Sequence, residues 1–363
     1  MQPLLIVAQS GRFLAQAAQQ LGYQAWVIDC FADMDTRLAS SRWQAISANH
    51  LHDERRLLAT IQSITQGQAC SLIYGSGVEK FYPIIERLPD HIQLVANTTA
   101  TVKHSKTPAL LFPLLKKLGI AHPSTRLTPP PLPLAQDWLL KSAFAYGGAH
   151  IRHLQDTVPV TDDYFQRFIT GQSGSCLFLA NRDSYRLILI NKQYVLANSS
   201  TPFQLSRIET PLLLPPDLKQ QLERMVGKLV TALGLAGLNS LDFIISEQNE
   251  LLLTEINPRP SASAELSLDP ALMLRLHIEA CQQAELPGNI QNAAKPVSLH
   301  YHFAKEDYVI ADNISWPAEC HDIPPPASYI TQGHIFFSSL ITNADERNHD
   351  AIEKIVTKQL VPA

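Results

Sequence analysis

One stretch near the centre of the chain decides the fold: residues 241–260 read Leu-Asp-Phe-Ile-Ile-Ser-Glu-Gln-Asn-Glu-Leu-Leu-Leu-Thr-Glu-Ile-Asn-Pro-Arg-Pro. Two apolar runs flank a polar turn, as in a β-hairpin, and each run contains one carboxylate, Asp242 or Glu255. If the turn is centred on residues 248–249, antiparallel pairing places Asp242 directly opposite Glu255. Asn257, two residues further on, then faces the same side of the hairpin.

The two carboxylates would repel each other in that register. Directly opposed side chains have Cβ atoms roughly 4.5–5.5 Å apart, where two like charges destabilise the pair unless a cation lies between them. Magnesium is a hard ion that takes oxygen ligands and commonly uses one or two carboxylates. The pattern therefore predicts an Mg²⁺ site, with Mn²⁺ as an alternative ion. An ordinary surface hairpin with solvent-facing acids is the competing interpretation, because a register slip of one residue would remove the pairing.

The composition is typical of a globular protein with a substantial core. The chain has 363 residues, of which 45% are hydrophobic and 17% charged, enough for two or three domains. A formal net charge of -4 argues against nucleic acid as the main partner. The first apolar run is too short for a membrane span and lacks the basic start of a signal peptide, and the five cysteines include no C-x-x-C pair. These features predict a cytoplasmic protein that binds a small molecule and has no membrane partner.

Histidines offer a second candidate metal site. His300 and His302 alternate in Ser-Leu-His-Tyr-His-Phe, and His321 and His334 follow downstream. Alternate histidines are more often one face of a strand than metal ligands, so this pattern favours a strand.

The first part of the chain predicts an open α/β domain. A strand at residues 4–8, a helical stretch that ends at Gly22 and a strand at residues 24–29 form a strand–helix–strand unit, which begins a parallel sheet. Residues 71–74 and the following Gly-Ser-Gly repeat this plan. The Gly-Ser-Gly turn lacks the G-x-G-x-x-G pattern of a dinucleotide site.

The rest of the chain follows a proline-rich connection at residues 128–133. Strands are predicted beyond it, among them residues 138–141, 186–191 and 193–198, and residues 215–235 predict an amphipathic helix.

Lys141 and the pair Gly147-Gly148 are candidates for phosphate binding. Lys141 ends a predicted strand, and the two glycines lie in the turn that follows. Backbone N–H groups of such a turn can approach a phosphate closely while the ammonium neutralises it. A pair of glycines in a hairpin more often means only a tight turn, so the spacing alone leaves both interpretations open.

The order of these parts resembles the ATP-grasp superfamily of carboxylate–amine ligases. The resemblance covers roughly residues 1–330, and its most specific piece is Leu-Thr-Glu-Ile-Asn-Pro-Arg-Pro-Ser-Ala-Ser, preceded by Ser-Leu-Asp-Phe. It implies an α/β (α+β ATP-grasp) fold with an N-terminal open parallel-sheet domain over residues 1–100. A two-subdomain ATP-binding region over residues 101–294 and a small C-terminal domain over residues 295–363 would follow.

The resemblance also implies roles for individual residues. Asp242, Glu255 and Asn257 match the family's magnesium ligands, and Arg259 matches the arginine that contacts phosphate or the acyl-phosphate intermediate. The residues that match nucleotide-binding positions are Lys106, Lys141, Gly147, Gly148 and the hinge residues Gln166, Arg167, Phe168 and Ile169.

Two departures from the family pattern concern the nucleotide. The hinge carries Gln166 where glutamate is usual, and the backbone groups of Arg167 and Ile169 would face adenine. The loop Tyr-Gly-Gly-Ala-His contains fewer glycines than in many members of the family.

The implied reaction uses ATP and Mg²⁺ to phosphorylate a carboxylate, after which an amine displaces phosphate from the acyl phosphate. The expected partners are a small-molecule carboxylate and an amine, and a homodimer is an expectation by analogy with the superfamily. Residues 316–336 are similar to the small C-terminal domain of several carboxylate ligases. The chain is also similar to an ATP-grasp group of one-carbon metabolism that includes ligases of methanofuran-type cofactor synthesis. The two departures leave open a catalytically inactive ATP-binding regulatory or scaffold protein.

Overall fold

A computed structural model of the protein describes residues 2–77, 79–131, 137–145, 147–154, 162–196, 201–267, 269–288, 290, 296–342 and 346–362. Its α-helices are Arg12–Gln20 (α1), Met34–Ala39 (α2), Ala48–Leu51 (α3), Glu54–Thr65 (α4), Thr99–Lys106 (α5), Pro108–Leu118 (α6), Pro216–Leu233 (α7), Pro270–Cys281 (α8) and Glu346–Thr357 (α9). Two 3-10 helices span Glu79–Arg87 and Ala262–Leu266. Within the described residues, none of the helices combines the length and apolar composition that crossing a membrane requires.

The strands up to the centre of the chain are Leu4–Val7 (β1), Ala25–Asp29 (β2), Arg42–Ala45 (β3), Cys70–Tyr74 (β4), Ile92–Leu94 (β5), Thr125–Arg126 (β6), Trp138–Ser142 (β7), Arg152–His153 (β8), Asp163–Arg167 (β9), Gly171–Asn181 (β10) and Tyr185–Val195 (β11). Those that follow are Leu205–Thr210 (β12), Ala236–Ser246 (β13), Leu251–Asn257 (β14), Val297–Phe303 (β15), Tyr308–Val309 (β16), Cys320–His321 (β17), Tyr329–Ile330 (β18), Ile335–Thr342 (β19) and Val361–Pro362 (β20).

The predicted parallel sheet at the N-terminus is confirmed. Its strand order is β3-β2-β1-β4-β5, and all neighbouring strands are parallel. The central strand β1 alternates between two apolar layers, since Leu4 and Ile6 pack with α1 while Leu5 and Val7 pack with α4. Burial on both faces explains why β1 reads as a continuous apolar run.

A larger antiparallel sheet has the order β14-β13-β10-β11-β12-β15-β19-β17. Helix α7 packs on one face against Phe178 and Leu241, and α8 packs on the other face against Leu177 and Leu238. The predicted amphipathic helix is confirmed as α7, whose apolar stripe is buried. Strands β15 and β19 extend this same sheet, and the expected domain boundary at residues 294–295 lies outside the part of the chain that the structure describes.

The two strands predicted at residues 186–191 and 193–198 are one strand, β11, and residues 197–198 lie outside the described ranges. Lys192, the residue between the two predicted strands, continues β11, because it pairs with Gly174 on β10 and with Glu209 on β12. The adjacent polar residue Asn191 also fits the strand, since its buried side-chain amide donates to the Ser175 hydroxyl at 3.2 Å. A buried amide that is hydrogen-bonded in this way is compatible with a continuous strand.

The hairpin β13–β14 has the predicted register at its functional end. Asp242 pairs with Glu255 and Ser240 pairs with Asn257. The predicted turn was wrong, because Ile245 pairs with Leu251 and the connection is one residue longer than a two-residue turn.

A bulge restores the register after this longer turn. The turn ends at Asn249, which adopts a left-handed conformation with φ of 60°. The pairing shifts between Asp242 and Phe243, so that Thr254 is an extra residue on β14. Without this bulge, Asp242 would face Thr254 instead of Glu255.

Candidate functional site

Asp242, Asn257 and Gln193 form a chain of hydrogen bonds at the end of the hairpin. The Asn257 side-chain amide donates to Asp242 Oδ2 at 3.0 Å, and the Gln193 amide donates to Asp242 Oδ1 at 3.0 Å. Both oxygens of the carboxylate are therefore oriented by neutral amides. Gln193, on β11, was not predicted, although it lies in a strand that the central sheet places two positions from β13.

Lys106 provides the positive charge that the opposed acids require. It lies in the last turn of α5, and its Nζ is 2.6 Å from Glu255 Oε1 and 3.1 Å from Asn257 Oδ1. Its side chain is 2% exposed. The structure thus brings Lys106, Asp242, Glu255 and Asn257 into one group, which we call the Asp242–Glu255 cluster.

The two carboxylates of this cluster have different proton affinities. Burial, together with the charge of Glu255, raises the pKa of Asp242 to about 6. Burial would also raise the pKa of Glu255, but the ammonium groups of Lys106 and Lys141 outweigh it and lower that pKa to about 2. The cluster therefore keeps Glu255 ionised over the whole physiological pH range.

Arg259 lies beside the cluster and is already paired. Its Nε donates to Glu79 Oε1 at 2.6 Å, and its NH2 lies 3.3 Å from Asn257 Oδ1. Both members of the Arg259–Glu79 pair are buried. Glu79 was not predicted, but a signal existed: it follows Gly-Ser-Gly after the carboxyl end of β4, the edge where open α/β sheets bind their ligands.

Lys141 is buried on β7 and faces the same region. Its Nζ donates to Gln166 Oε1 at 3.2 Å on the neighbouring strand β9, and burial lowers its pKa. Lys141, Lys106 and Glu255 line one narrow cleft. The hinge position Gln166 is therefore connected to Lys141 through its side chain, a contact that the sequence did not predict.

The other predicted hinge residues are further from this contact. The Arg167 N–H donates to the Ser124 carbonyl at 2.8 Å, so an adenine contact of Arg167 would have to use its carbonyl oxygen. Phe168 is 38% exposed, and its ring contacts His153 and Phe203. Ile169 is half-buried, and none of these three residues lines the cleft or the cavity described below.

The glycine turn packs closely against β12. Gly147 O accepts from Leu205 N at 2.9 Å, and Gly148 has φ of 77°. A Cβ added to Gly148 would lie 2.0 Å from the Phe203 carbonyl oxygen, so the close approach requires glycine there. Gly147 lines the cavity, while Tyr146 of the predicted loop lies outside the described residues.

A cavity of about 580 Å³ adjoins the cluster. Asp242, Glu255, Asn257 and Arg259 line one wall. The other walls come from the loops after β1 and β4 and from the C-terminal part of the chain. This volume is within the range of roughly 300–1,000 Å³ that is usual for small-molecule sites.

A second group of charges borders the same cavity. Arg12 on α1 forms ion pairs with Glu265, with Asp322 (2.8 Å) and with Asp35 (3.6 Å), and we call these four residues the Arg12 cluster. Asp33 lies nearby, and burial together with the charge of Asp322 raises its pKa to about 9. This cluster could not be predicted from the sequence, because its members are up to 310 residues apart.

Comparison with known proteins supports the assignment of the fold. Residues 109–263 match the family described as ATP-grasp domain. No curated protein has a sequence that matches this chain.

Solved structures resemble the chain over nearly its whole length. The ADP complex of N5-carboxyaminoimidazole synthetase from Staphylococcus aureus has a TM-score of 0.69 and 15% identity, covering 98% of both chains. L-amino acid ligase from Bacillus licheniformis has a TM-score of 0.71 and 13% identity, covering 100% of this chain and 99% of that one. Biotin carboxylase from Campylobacter jejuni has a TM-score of 0.72 and 13% identity, covering 98% of this chain and 91% of that one.

These similarities agree with the mixed α/β architecture, in which a parallel N-terminal sheet precedes a large antiparallel sheet. The chain contains an ATP-grasp domain over residues 109–263.

Proposed function

We propose that the protein is an ATP- and Mg²⁺-dependent ligase, which activates a carboxylate as an acyl phosphate for attack by an amine. The observation that carries this proposal is the Asp242–Glu255 cluster at the wall of the cavity. The cluster has the residues of a magnesium and phosphate site, and the cavity beside it has room for a small substrate. The structural neighbour named L-amino acid ligase supports the same class of reaction.

The donor set fits magnesium. The atoms of Asp242, Glu255 and Asn257 that can ligate a metal are all oxygens, which suits a hard cation. Asp242 is held by two amides, and Glu255 stays ionised next to Lys106. When bound, magnesium would neutralise charge on the ATP phosphates, and these three residues would hold it.

Lys106 and Lys141 are the cations that would hold the phosphates. Both ammonium groups line the narrow cleft with Glu255. Lys141 makes a hydrogen bond to Gln166, and a lysine has three donors, so further N–H groups can reach a ligand. Arg259 is neutralised by Glu79, and its role would be to orient Asn257 through the contact at 3.3 Å.

The proposed reaction has two steps. A carboxylate oxygen of the substrate attacks the γ-phosphorus of ATP, and the bond between that phosphorus and the bridging oxygen of ADP breaks. The amine nitrogen then attacks the carbonyl carbon, the carbon–oxygen bond to phosphate breaks, and the nitrogen loses a proton. Both steps depend on alignment and charge stabilisation, which the lysines and carboxylates supply without a protein nucleophile.

The acidic side of the cavity supports an amine as the second substrate. Asp33, Glu265 and Asp322 line this side, and the neighbouring cation Arg12 is already paired with three carboxylates. An amine can donate hydrogen bonds to these oxygens, and a protonated amine would also be attracted to their charge.

Thermal unfolding with and without Mg²⁺-ATP tests the nucleotide site. A ligand at about 100 times its Kd stabilises the folded state by roughly 2.7 kcal/mol, and we expect that stabilisation for the wild type only when magnesium is present. Glu255→Gln should lose it, because the variant removes a proposed metal ligand. Glu250→Gln, an exposed change in the same hairpin, should keep it.

ADP release with a panel of carboxylates and amines then tests the reaction. Turnover that requires one member of each class and is lost in Glu255→Gln would support the ligase. Nucleotide binding without turnover on a broad panel would favour the inactive regulatory or scaffold protein. If neither the wild type nor Glu255→Gln is stabilised against thermal unfolding by Mg²⁺-ATP, that result would contradict the nucleotide site itself.

A further inference from the structure

A second group of metal-ligating side chains lies away from the cavity, between β15 and α9. His302 is on β15, and His349 and Glu353 are on α9. Tyr301, the residue before His302, lines the cavity. Because adjacent residues of a strand point to opposite faces, His302 lies on the face of the sheet away from the nucleotide site.

The His302 ring is fixed by two contacts. It stacks on Phe337 at 3.9 Å with an interplanar angle of 7°, and its Nε2 lies 2.9 Å from the Ser339 hydroxyl. Its other nitrogen, Nδ1, is buried and has no hydrogen-bond partner among the described residues. This nitrogen lies 3.8 Å from Glu353 Oε2, which is too far for a hydrogen bond.

His349 completes the group from the helix. His349 and Glu353 are four residues apart on α9 and therefore share one face. The His349 ring is 4.7 Å from the His302 ring, and its Nδ1 is also buried without a partner in the described part of the chain. One ligand atom from each of the three residues lies within 4.8 Å of the others.

We propose that His302, His349 and Glu353 bind a zinc ion, which fixes α9 to the central sheet. In the tautomer that donates Nε2–H to the Ser339 hydroxyl, the neutral His302 imidazole presents a lone pair at Nδ1 on the side of the Glu353 carboxylate, 3.8 Å away. Two electron-rich groups in that arrangement repel each other, and a cation between them converts the repulsion into two bonds. Two histidine nitrogens and one carboxylate oxygen form a ligand set typical of Zn²⁺, with water in the fourth position.

The surroundings favour ligands in the required protonation states. Burial lowers the pKa of His302, and burial together with His349 lowers that of His300 to about 3, so burial favours the neutral form of each imidazole. His300 Nε2 is engaged by Ser298 Oγ at 2.9 Å, so His300 borders the proposed site without being one of its ligands.

Lys305 is the only competing cation in direct contact with these ligands in the described residues. Its Nζ lies 2.6 Å from Glu353 Oε1 and leaves Oε2 facing His302. The ammonium repels a bound cation and draws electron density from the carboxylate. Removing this charge should therefore strengthen zinc binding, an effect that a purely structural ion pair would not produce.

Zinc binding by the full-length protein tests the proposal. The protein is treated with a chelator, and Zn²⁺ binding is measured by equilibrium dialysis in the Glu255→Gln background with excess Mg²⁺. That background separates this site from the proposed nucleotide site. We expect one equivalent of zinc, and Co²⁺ in its place should give the visible spectrum of a four-coordinate site.

The ligand variants are chosen to preserve the fold. His302→Gln retains a polar group near Ser339 and removes the Nδ1 ligand, and Glu353→Gln removes the charged oxygen. Each should weaken zinc binding by more than roughly 100-fold, the upper end of the effect of losing an outer-shell partner. Asp350→Asn, an exposed change on the same helix, should bind zinc as the wild type does.

Lys305→Met gives the opposite test, because it should bind zinc at least several-fold more tightly. It also keeps the proposal testable if His302→Gln fails to fold. Failure of the parent protein to take up one equivalent of zinc would overturn the proposal. Unchanged binding in folded His302→Gln and Glu353→Gln would overturn it as well, since the ion would then lie elsewhere.

Discussion

Two groups of buried charges line the same cavity, and they differ in how their charges balance. In and beside the Asp242–Glu255 cluster, two of the three acids have a cation within hydrogen-bond distance, since Lys106 contacts Glu255 and Arg259 contacts Glu79, while Asp242 is held by neutral amides. This balance keeps Glu255 ionised, with a pKa of about 2. Metal ligands must be deprotonated, so this arrangement suits a site that binds a cation.

The Arg12 cluster has an excess of acids. A single guanidinium contacts three carboxylates, and Asp33 lies beside them without a hydrogen-bond partner for its Oδ2 in the described residues. Burial raises the pKa of Asp35 and of Glu265, and their attraction to Arg12 does not fully offset it. The two groups therefore differ in their ratio of cations to acids, and under the proposed function the first would hold a metal and phosphates while the second would face the amine.

Removing Arg12 should have the largest effect on stability. Arg12→Met leaves three buried carboxylates without their cation, and breaking a buried ion pair costs about 3–5 kcal/mol. At neutral pH we expect the free energy of unfolding to fall by an amount near the upper end of this range. Urea unfolding measures it.

The loss should become smaller as the pH falls. The pKa values of Asp35 and Glu265 are already raised in the folded protein, and removing Arg12 would raise them further. The folded variant then takes up protons more readily than the unfolded chain, so its stability increases on acidification. Arg55→Met, an exposed change on α4, should have little effect. A loss that is the same at every pH would show that these acids stay ionised.

Removing Lys106 tests the charge balance of the Asp242–Glu255 cluster. Lys106→Met breaks the pair with Glu255, and we expect a loss of about 3 kcal/mol in the absence of magnesium. Added Mg²⁺ should reduce the loss, because the ion supplies positive charge to the same carboxylates. The measurement is urea unfolding with and without Mg²⁺, and Lys103→Met, exposed on the same helix, is the control. A loss that magnesium leaves unchanged would argue against the metal site at these acids.

The hairpin shows what the sequence could predict. Apolar alternation and the polar turn were enough to place Asp242 opposite Glu255, and the pairing is confirmed. The turn itself was predicted one residue too short, and the bulge at Thr254 compensates for the difference. Bulges depend on local backbone geometry and have no strong signal in one sequence. The predicted pairing was therefore correct although the predicted turn length was wrong.

The Arg12 cluster and the histidine group show what the sequence could not predict. Arg12 meets Glu265 and Asp322 only because α1, the 3-10 helix at Ala262–Leu266 and the C-terminal part of the chain converge on one cavity. His302 was considered as a metal ligand together with His300, His321 and His334, whereas its neighbours in space are His349 and Glu353. The spacing of four residues between His349 and Glu353, which places both on one face if the segment is helical, was the available signal.

Asp33 gives the sharpest test of the acidic side, because its effect depends on pH. Asp33 is at the N-cap position of α2, where its side chain makes no capping hydrogen bond, and burial and the charges of Asp322, Asp29 and Asp35 raise its pKa to about 9. The unfolded chain has an ordinary aspartate pKa of about 3.9. Between these values the folded protein binds a proton that the unfolded chain has released, so the wild type loses stability as the pH rises.

Asp33→Asn removes this dependence, since asparagine does not titrate and is also a good helix N-cap. The variant should gain stability relative to the wild type by at most about 1.4 kcal/mol per pH unit from mildly acidic to weakly alkaline pH. Urea unfolding across that range measures the gain. Asp53→Asn is the control, because this N-cap of α4 is 44% exposed and accepts hydrogen bonds from two backbone N–H groups. A stability difference between Asp33→Asn and the wild type that does not change with pH would mean that Asp33 is ionised in the folded protein. The acidic side of the cavity would then have one more negative charge to attract an amine.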